Sequence, residues 1–497
     1  MKSSGSASDT HRSPRIARST LINLAGLVVP TMVGLVTVPL YLRLIGEVRY
    51  GVLLLAFTLL GYFGAFDLGL GRAVAQRIAR QEDHAQRNHT FWTAFILSAG
   101  MGLLGGIVLY FLGQWLFAEI FQIPANLRGE AQRAIPWLAA IVPLIALISV
   151  LAGALEARQA FLSLNVSQII GVIGLQIFPL LSVVFGHGSI AALVAAALAG
   201  RLMGVLVMLW VTARSLPIVG WPILDRAEIG PLLRFGGWVS VSGAVIPLLT
   251  IIDRLVIGAR LGAAAVTAYT VPFNLTQRLT YLPYALSTTL FPRFSQEHRD
   301  DTKGLLRLTI IILAAVQTPF IILAILLAHP FLTLWIGAAL AAKMAPVAII
   351  LLLGIWLNGP SYPCYAFLQA TGRPDIITKF YLIQLIPFLM ALWLLIAWLG
   401  IYGAAIAWSS RMLADAVVWF AASDSLMGFV NSIWRSFPLV IAAILIAESK
   451  SNIYLILTLS AFVMSATAYA SISSVPMPFR SHIPFAKLLH KKIERQH

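Results

Sequence analysis

What most restricts this chain is a succession of apolar runs, each near the length needed to cross a bilayer. A membrane helix takes ~20 consecutive, mostly apolar residues. Fourteen runs meet or approach that length: roughly 19–42, 50–70, 91–117, 132–154, 165–186, 188–213, 236–259, 264–292, 307–328, 345–368, 379–399, 401–421, 436–448 and 452–474. The thirteenth is short, which leaves twelve or thirteen spans open. Barrel strands would instead alternate over ~10 residues, and no such segments occur. Composition agrees: 59% of residues are hydrophobic and 11% charged, whereas a soluble domain carries about 25% charged residues. Such a chain cannot cover itself with polar surface, so lipid must cover the rest. The sequence therefore predicts an all-α polytopic membrane protein of about 14 transmembrane helices. Pro30, Pro39, Pro143, Pro179, Pro247, Pro272, Pro283 and Pro387 lie inside the runs. Within a bundle, neighbouring helices re-satisfy the freed backbone groups, and such prolines give kinks.

Basic residues set the orientation. With a cytoplasmic N-terminus, 24 of the 35 Lys and Arg fall on inner segments and 7 on outer ones. Both termini then read as cytoplasmic, which calls for an even number of spans. The first run is too long for a cleaved signal and lacks a small-residue cleavage site. These loops account for most of the net charge of +16, so the charge is no pointer to nucleic acid. Residues 1–18, polar and Ser-rich, are expected to be a disordered cytoplasmic N-terminus. The basic tail 475–497, with Lys487, Lys491, Lys492 and Arg495, is expected against anionic headgroups. Residues 72–87 read as a short amphipathic segment on the membrane surface. Gly102 and Gly106 are spaced for close helix packing. The single cysteine, Cys364, excludes an internal disulfide.

An internal repeat organises the chain. Leu44-Ile45-Gly46 followed by Tyr50 returns as Arg260-Leu261-Gly262 followed by Tyr269. Ala154-Leu155-Glu156-Ala157 returns as Phe367-Leu368-Gln369-Ala370, and Gly200-Arg201-Leu202-Met203 as Ser410-Arg411-Met412-Leu413. The shifts of 216, 213 and 210 residues are nearly constant. They imply an N-lobe of six helices over 19–213, a cytoplasmic linker over 214–235 and a C-lobe of six helices over 236–421, with two further helices over 436–474. Each half enters from the same side, so the repeat is parallel. Such repeats put a substrate site between the halves near the midplane.

Further residues resemble a known family. Pro39-Leu40-Tyr41-Leu42-Arg43-Leu44-Ile45-Gly46 with Tyr50-Gly51, and then Phe66-Asp67-Leu68-Gly69-Leu70-Gly71-Arg72-Ala73, are similar to the opening and second-helix signature of the bacterial polysaccharide transporter family. Ile252-Asp253-Arg254 with Leu261-Gly262 and Tyr269, Phe291-Pro292, and Leu368-Gln369-Ala370-Thr371-Gly372-Arg373-Pro374 match it too. The resemblance runs from about residue 19 to 470. It identifies the chain as a member of a family of O-antigen and exopolysaccharide flippases, within the multidrug, oligosaccharidyl-lipid and polysaccharide exporter superfamily. The resemblance implies a two-lobed, V-shaped bundle that alternates between inward-open and outward-open states in the inner membrane. It also implies a polyprenyl-diphosphate-linked sugar as substrate, a monomeric state, and a polysaccharide polymerase and assembly proteins as partners.

Charges inside the runs bear on such a substrate. An ionisable group at membrane depth is expensive and faces the bundle interior or a wet cavity. The candidates for a cationic groove are Arg201, Arg254, Arg278 and Arg411; the carboxylates Asp253 and Asp415 share the spans, and Asp67 lies at a span end. Guanidinium groups donate bidentate hydrogen bonds to phosphate and stay charged. Each residue also has a structural reading. Arg411 and Asp415, four apart, share a helix face and would pair. Arg278 would pair with Asp253, and Arg201 with an acid on another helix. Asp67 with Arg72 would form a lock at the cytoplasmic end, and Arg43 and Arg49 would flank an outer loop. Asp67, Asp253 and Asp415 could instead couple protons or sodium. No catalytic residue, metal ligand set or cofactor is expected: the chain shows no phosphate-binding Gly-rich loop, no HExxH and no Cys/His cluster. The competing functions are a multidrug exporter of the same superfamily, which needs an acidic cavity, and a membrane-bound polymerase or glycosyltransferase. The latter would need a sizeable loop bearing carboxylates, whereas the loop around 214–235 offers only Asp225 and Glu228.

Overall fold

The structure is a computed structural model that describes residues 13–63, 69–216, 222–296, 299–434, 436–449 and 453–474. Among the described residues every regular element is a helix. In chain order they are α1 (Ser13–Phe63), α2 (Leu70–Arg80), α3 (His84–Trp115), α4 (Ala125–Ala157), α5 (Phe161–Val184), α6 (Ile190–Ser215), α7 (Arg226–Arg260), α8 (Ala263–Thr276), α9 (Tyr281–Gln296), α10 (Arg299–Ile336), α11 (Ala338–Asn358), α12 (Tyr362–Ala370), α13 (Pro374–Leu399), α14 (Ile401–Ala422), α15 (Leu426–Trp434), α16 (Phe437–Glu448) and α17 (Ile453–Ser474). Among the described residues, eight helical stretches are long and apolar enough to cross a membrane. One of them, Val28–Phe63, has 36 residues. At 1.5 Å per residue this exceeds the ~30 Å hydrocarbon core. It bends at Gly46, whose φ of 78° and ψ of 166° are non-helical. The first two expected spans are therefore two helices that meet at Gly46, where glycine permits the break. The eighth span is α8 and α9 joined by a 3₁₀ turn, Gln277–Thr280. The thirteenth, α16, has 12 residues, or ~18 Å, which is short of a full crossing.

By packing, the chain divides into two compact units, Met1–Thr267 and Ala268–His497. The division falls later than the linker expected at 214–235. Its last ten residues are already the start of α7, begun by Asp225, whose carboxylate accepts the Ala227 amide at 2.9 Å. Helix α7 packs on α1, α2 and α3, which draws it into the first unit. The start of α8 follows, with Thr267 donating to the Glu47 carbonyl at 2.7 Å. The helix α1 already runs from Ser13, within the stretch expected to be disordered; residues 1–12 and the tail 475–497 lie outside the described residues.

Backbones in the first unit meet at glycines. On α3, Gly102 and Gly106 lie against α4: an added Cβ would sit 2.6 Å from Pro143 Cα and 2.8 Å from the Ala139 oxygen. Helix α2 buries Leu70, Ala73, Val74 and Ile78. Expected on the membrane surface, it packs instead on α4, because Gly71 faces Gly153 and Ser149 too closely for any side chain between them. Helices α5 and α6 touch along Gly171, Gly174, Gly200 and Gly204. Lipid tails are as apolar as leucine, so close backbone approach is what holds such pairs.

In the second unit, a core of Phe294, Ile310, Phe367, Leu368, Trp419 and Phe420 joins α9, α10, α12 and α14. Trp419 is ringed by Tyr365, Phe380 and Tyr381, with ring centroids 5.4 to 5.9 Å away. Cys364 is buried there, as inert packing requires.

Candidate functional site in the spans

The first unit holds Arg201, Asp253 and Arg254. Arg201 follows Gly200 on α6, at the place where α5 and α6 are closest. Its side chain is half-buried, and its Nε is buried with no hydrogen-bond partner among the described residues. Asp253 is fully buried on α7, and its carboxylate accepts the Arg254 amide at 2.8 Å. Arg254 is half-buried on the same helix. Between α1 and α5 lies a polar group that sequence reasoning missed. Tyr41 donates to the Gln176 carbonyl at 2.6 Å, Thr37 to Gln176 Oε1 at 3.3 Å, and Tyr41 stacks on Tyr50 at 5.4 Å. Tyr41 and Gln176 are 135 residues apart, so no local pattern announces the pair.

The outer loop reading of Arg49 resolves into a specific partner. Arg49 pairs with Glu130 at 3.0 Å, and the other Glu130 oxygen accepts the Ile190 amide at the start of α6 at 3.3 Å. Asp67, and with it the expected lock to Arg72, lies outside the described residues.

The second unit holds Arg278, Arg411 and Asp415. Arg278 sits in the 3₁₀ turn between α8 and α9, where its Nη1 donates to the Tyr281 hydroxyl at 2.6 Å. Arg411 and Asp415 occupy one face of α14 and are 8% and 4% exposed. They form no ion pair. Arg411 lies over the Phe388 ring, 5.2 Å from its centroid. Arg411 Nε, Asp415 Oδ1 and both side-chain polar atoms of Gln384 on α13 are buried without hydrogen-bond partners among the described residues. Two opposite charges that share a face, both desolvated and not joined, still stabilise one another through space. Removing one leaves the other buried and uncompensated. Arg411→Met is therefore expected to lower thermal stability in detergent more than the double change Arg411→Met with Asp415→Asn. A double variant less stable than the single one would show that the two side chains do not act on each other.

Gln384 is the residue of this cluster that the sequence reading passed over. Its signal was available: it is the lone amide within the apolar run 379–399. Among the described residues no group of three or more His, Cys, Asp or Glu is arranged to hold a metal.

Comparison with known proteins identifies relatives of the whole chain. Residues 16–298 match the family model described as polysaccharide biosynthesis protein, and residues 239–395 match the MatE model. The chain is 27% identical over 410 residues to a Shigella flexneri protein named "Putative O-antigen transporter", covering 81% of this chain and 96% of that one. It is 20% identical over 441 residues to the lipopolysaccharide biosynthesis protein WzxC of Escherichia coli strain K12, covering 83% of each. The fold is similar to that of the lipid II flippase MurJ in an inward closed conformation, with a TM-score of 0.73 at 14% identity, over 93% of this chain and 99% of that one.

Proposed function

As the chain belongs to the polysaccharide biosynthesis protein family, we propose that it is a flippase that carries a polyprenyl-diphosphate-linked oligosaccharide across the cytoplasmic membrane by alternating access, for assembly of a surface polysaccharide. The observation that carries this reading is Arg201, a cation at membrane depth whose Nε is buried and has no hydrogen-bond partner among the described residues. Such a charge is costly in a membrane unless it serves a ligand or an ion path. A diphosphate supplies what the guanidinium lacks: paired acceptor oxygens that match its fork. Arg254, Arg278 and Arg411 add to the same cationic character, against two carboxylates in the spans, Asp253 and Asp415.

The lipid, the diphosphate and the sugar arrive and leave intact, so the chain acts as a carrier and makes no bond. Work can enter through charge, because moving one elementary charge across the membrane is worth ~2.3 kcal/mol per 100 mV. Asp67, Asp253 and Asp415 are the carboxylates available for ion coupling. Both termini lie in the cytoplasm, and a monomer delivers substrate to a polymerase and its assembly proteins.

A second reading, export of organic cations, is favoured by the MatE match over residues 239–395. It would need excess acid in the spans, and the excess there is basic. Deletion in the native host separates the two. Loss of surface glycan, with complete lipid-linked units accumulating on the cytoplasmic leaflet, is expected. Normal surface glycan with raised sensitivity to toxic cations would establish the exporter, and unpolymerised or incomplete sugar would establish an enzyme. Arg254→Ala and Arg278→Ala are each expected to slow export several-fold at unchanged protein level, with Lys restoring part of it because the charge survives and the fork does not. Wild-type export by both alanine variants would remove them from the substrate path.

A further inference from the structure

Outside the spans, α2, the first turns of α3 and the start of α7 enclose an open polar groove of about 580 Å³ within the first unit. That volume lies in the range of small-ligand sites, roughly 300–1,000 Å³. Its walls are tied together by long-range bonds. Arg77 pairs with Glu228 at 2.8 Å, and Glu228 also accepts from Thr90 at 3.1 Å. His89 Nδ1 lies 3.1 Å from Asp225 Oδ2, and the Asp225 amide donates to Thr93 at 2.9 Å. Gln81 donates to Thr90 at 2.8 Å. The Ala227 amide and then His89 hold the Asp225 carboxyl below the usual carboxylate range, so it remains an anion near neutral pH.

This framework leaves three lining side chains unspent. Gln76 and Arg80 stand four apart on α2, on one face of the helix. Gln86 stands across from them on α3. All three are exposed into the groove and make no hydrogen bond among the described residues. Arg77 and His89 already face carboxylates, which leaves Arg80 as the lining cation without a counter-charge among the described residues. Among the lining residues Arg80 is then the one cation to spare, which matches the several negative charges of a polyphosphate or nucleotide poorly. Nearly every lining residue is polar, which disfavours an acyl chain. Amides, each both donor and acceptor, beside an arginine fork suit neighbouring hydroxyls.

We propose that this groove binds the sugar headgroup of the lipid-linked substrate before transport, while its lipid remains in the bilayer. The proposal rests on the flippase reading. The groove lies at the basic end of the first unit, beside Arg72, Arg77, Arg80 and Arg87, the end that the charge asymmetry assigns to the cytoplasm.

The test uses the full chain in nanodiscs and two probes: the lipid-linked glycan extracted from the deletion host, and polyprenyl diphosphate without sugar. Wild type is expected to bind the glycan form more tightly. The triple variant Gln76→Ala, Arg80→Ala, Gln86→Ala is expected to lose that preference, with about tenfold weaker glycan binding and unchanged binding of the sugarless lipid. The single variant Gln86→Ala, which touches no wall bond, is expected to show part of the loss at wild-type thermal stability. A preference kept in both variants would overturn the proposal and leave the flippase reading intact. So would an equal loss for both probes, or a loss of binding to phosphatidylglycerol vesicles instead, either of which would assign the groove to anionic headgroups. Failure of wild type to bind either lipid would sink the flippase reading itself.

Discussion

Replacing Arg201 with methionine is expected to raise the thermal stability of the purified protein while cutting export of lipid-linked glycan at least tenfold. The two effects have one cause. Arg201 is half-buried at membrane depth, and its Nε lacks a hydrogen-bond partner among the described residues. A desolvated charge without a partner costs the folded state, and an apolar side chain of similar length relieves that cost. The same charge gains its partner when the diphosphate arrives. A hydrogen bond to a charged group is worth about 1.5–3 kcal/mol, and 1.4 kcal/mol is a factor of about ten in rate or affinity. Arg201→Lys should fall between, keeping the charge and losing the planar fork. Thermal unfolding in detergent, read beside glycan export at matched protein level, decides it. A less stable Arg201→Met protein would mean that the arginine pairs with a side chain of its own chain. Unchanged export would take it out of the substrate path.

The spans were legible because the constraint behind them is simple. Each crossing needs a long apolar run, and a bundle leaves no other use for so many. Where the fold depends on what a helix packs against, one sequence says less. Helix α2 has an amphipathic pattern that suits a membrane surface and an α4 surface equally. Gly71 opposite Gly153 decides between them, and those residues are 82 apart in the chain. The place where the two units divide was hidden for the same reason, since the contacts of α7 with α1, α2 and α3 leave no local mark. In the spans, charged residues stood out against an apolar background, so Arg201, Arg254, Arg278, Arg411, Asp253 and Asp415 could be singled out. Their partners could not. Helical spacing offered Arg411 to Asp415, yet the arginine turns to the Phe388 ring and no ion pair forms. The amide of Gln384 was overlooked because a neutral polar side chain carries no charge to draw attention, although burial makes it nearly as exacting. The groove beside α2 was least legible of all. Arg77 and Glu228 meet across 151 residues, and either alone reads as an ordinary loop charge.

Two glycine-to-alanine changes should move stability in opposite directions, and the contrast measures how α6 is held. Gly100, exposed on α3, has nothing within 4 Å of where a Cβ would stand. Alanine there reduces the backbone entropy lost on folding, a gain of roughly 0.5–1 kcal/mol. At Gly200 a Cβ would overlap the carbonyl of Gly174 and come within 3.0 Å of the Leu175 amide nitrogen. Both obstacles are backbone, so neither can rotate away, and α6 must shift away from α5. Overpacking of this kind costs typically 1–3 kcal/mol. No hydrophobic force restores the pair afterwards, because lipid solvates the separated helices as well as they solvate each other. Gly200→Ala should therefore unfold at lower temperature than wild type, and Gly100→Ala at the same or higher temperature. The functional consequence differs from that of an ordinary packing defect, because the displaced backbone is the one that carries Arg201. Export should fall by more than the loss of folded protein accounts for, since the guanidinium moves with the helix even in molecules that remain folded. Equal stability changes at the two glycines would mean that the α5–α6 seam is not tight. Export falling only in step with protein level would mean that the position of Arg201 does not depend on it.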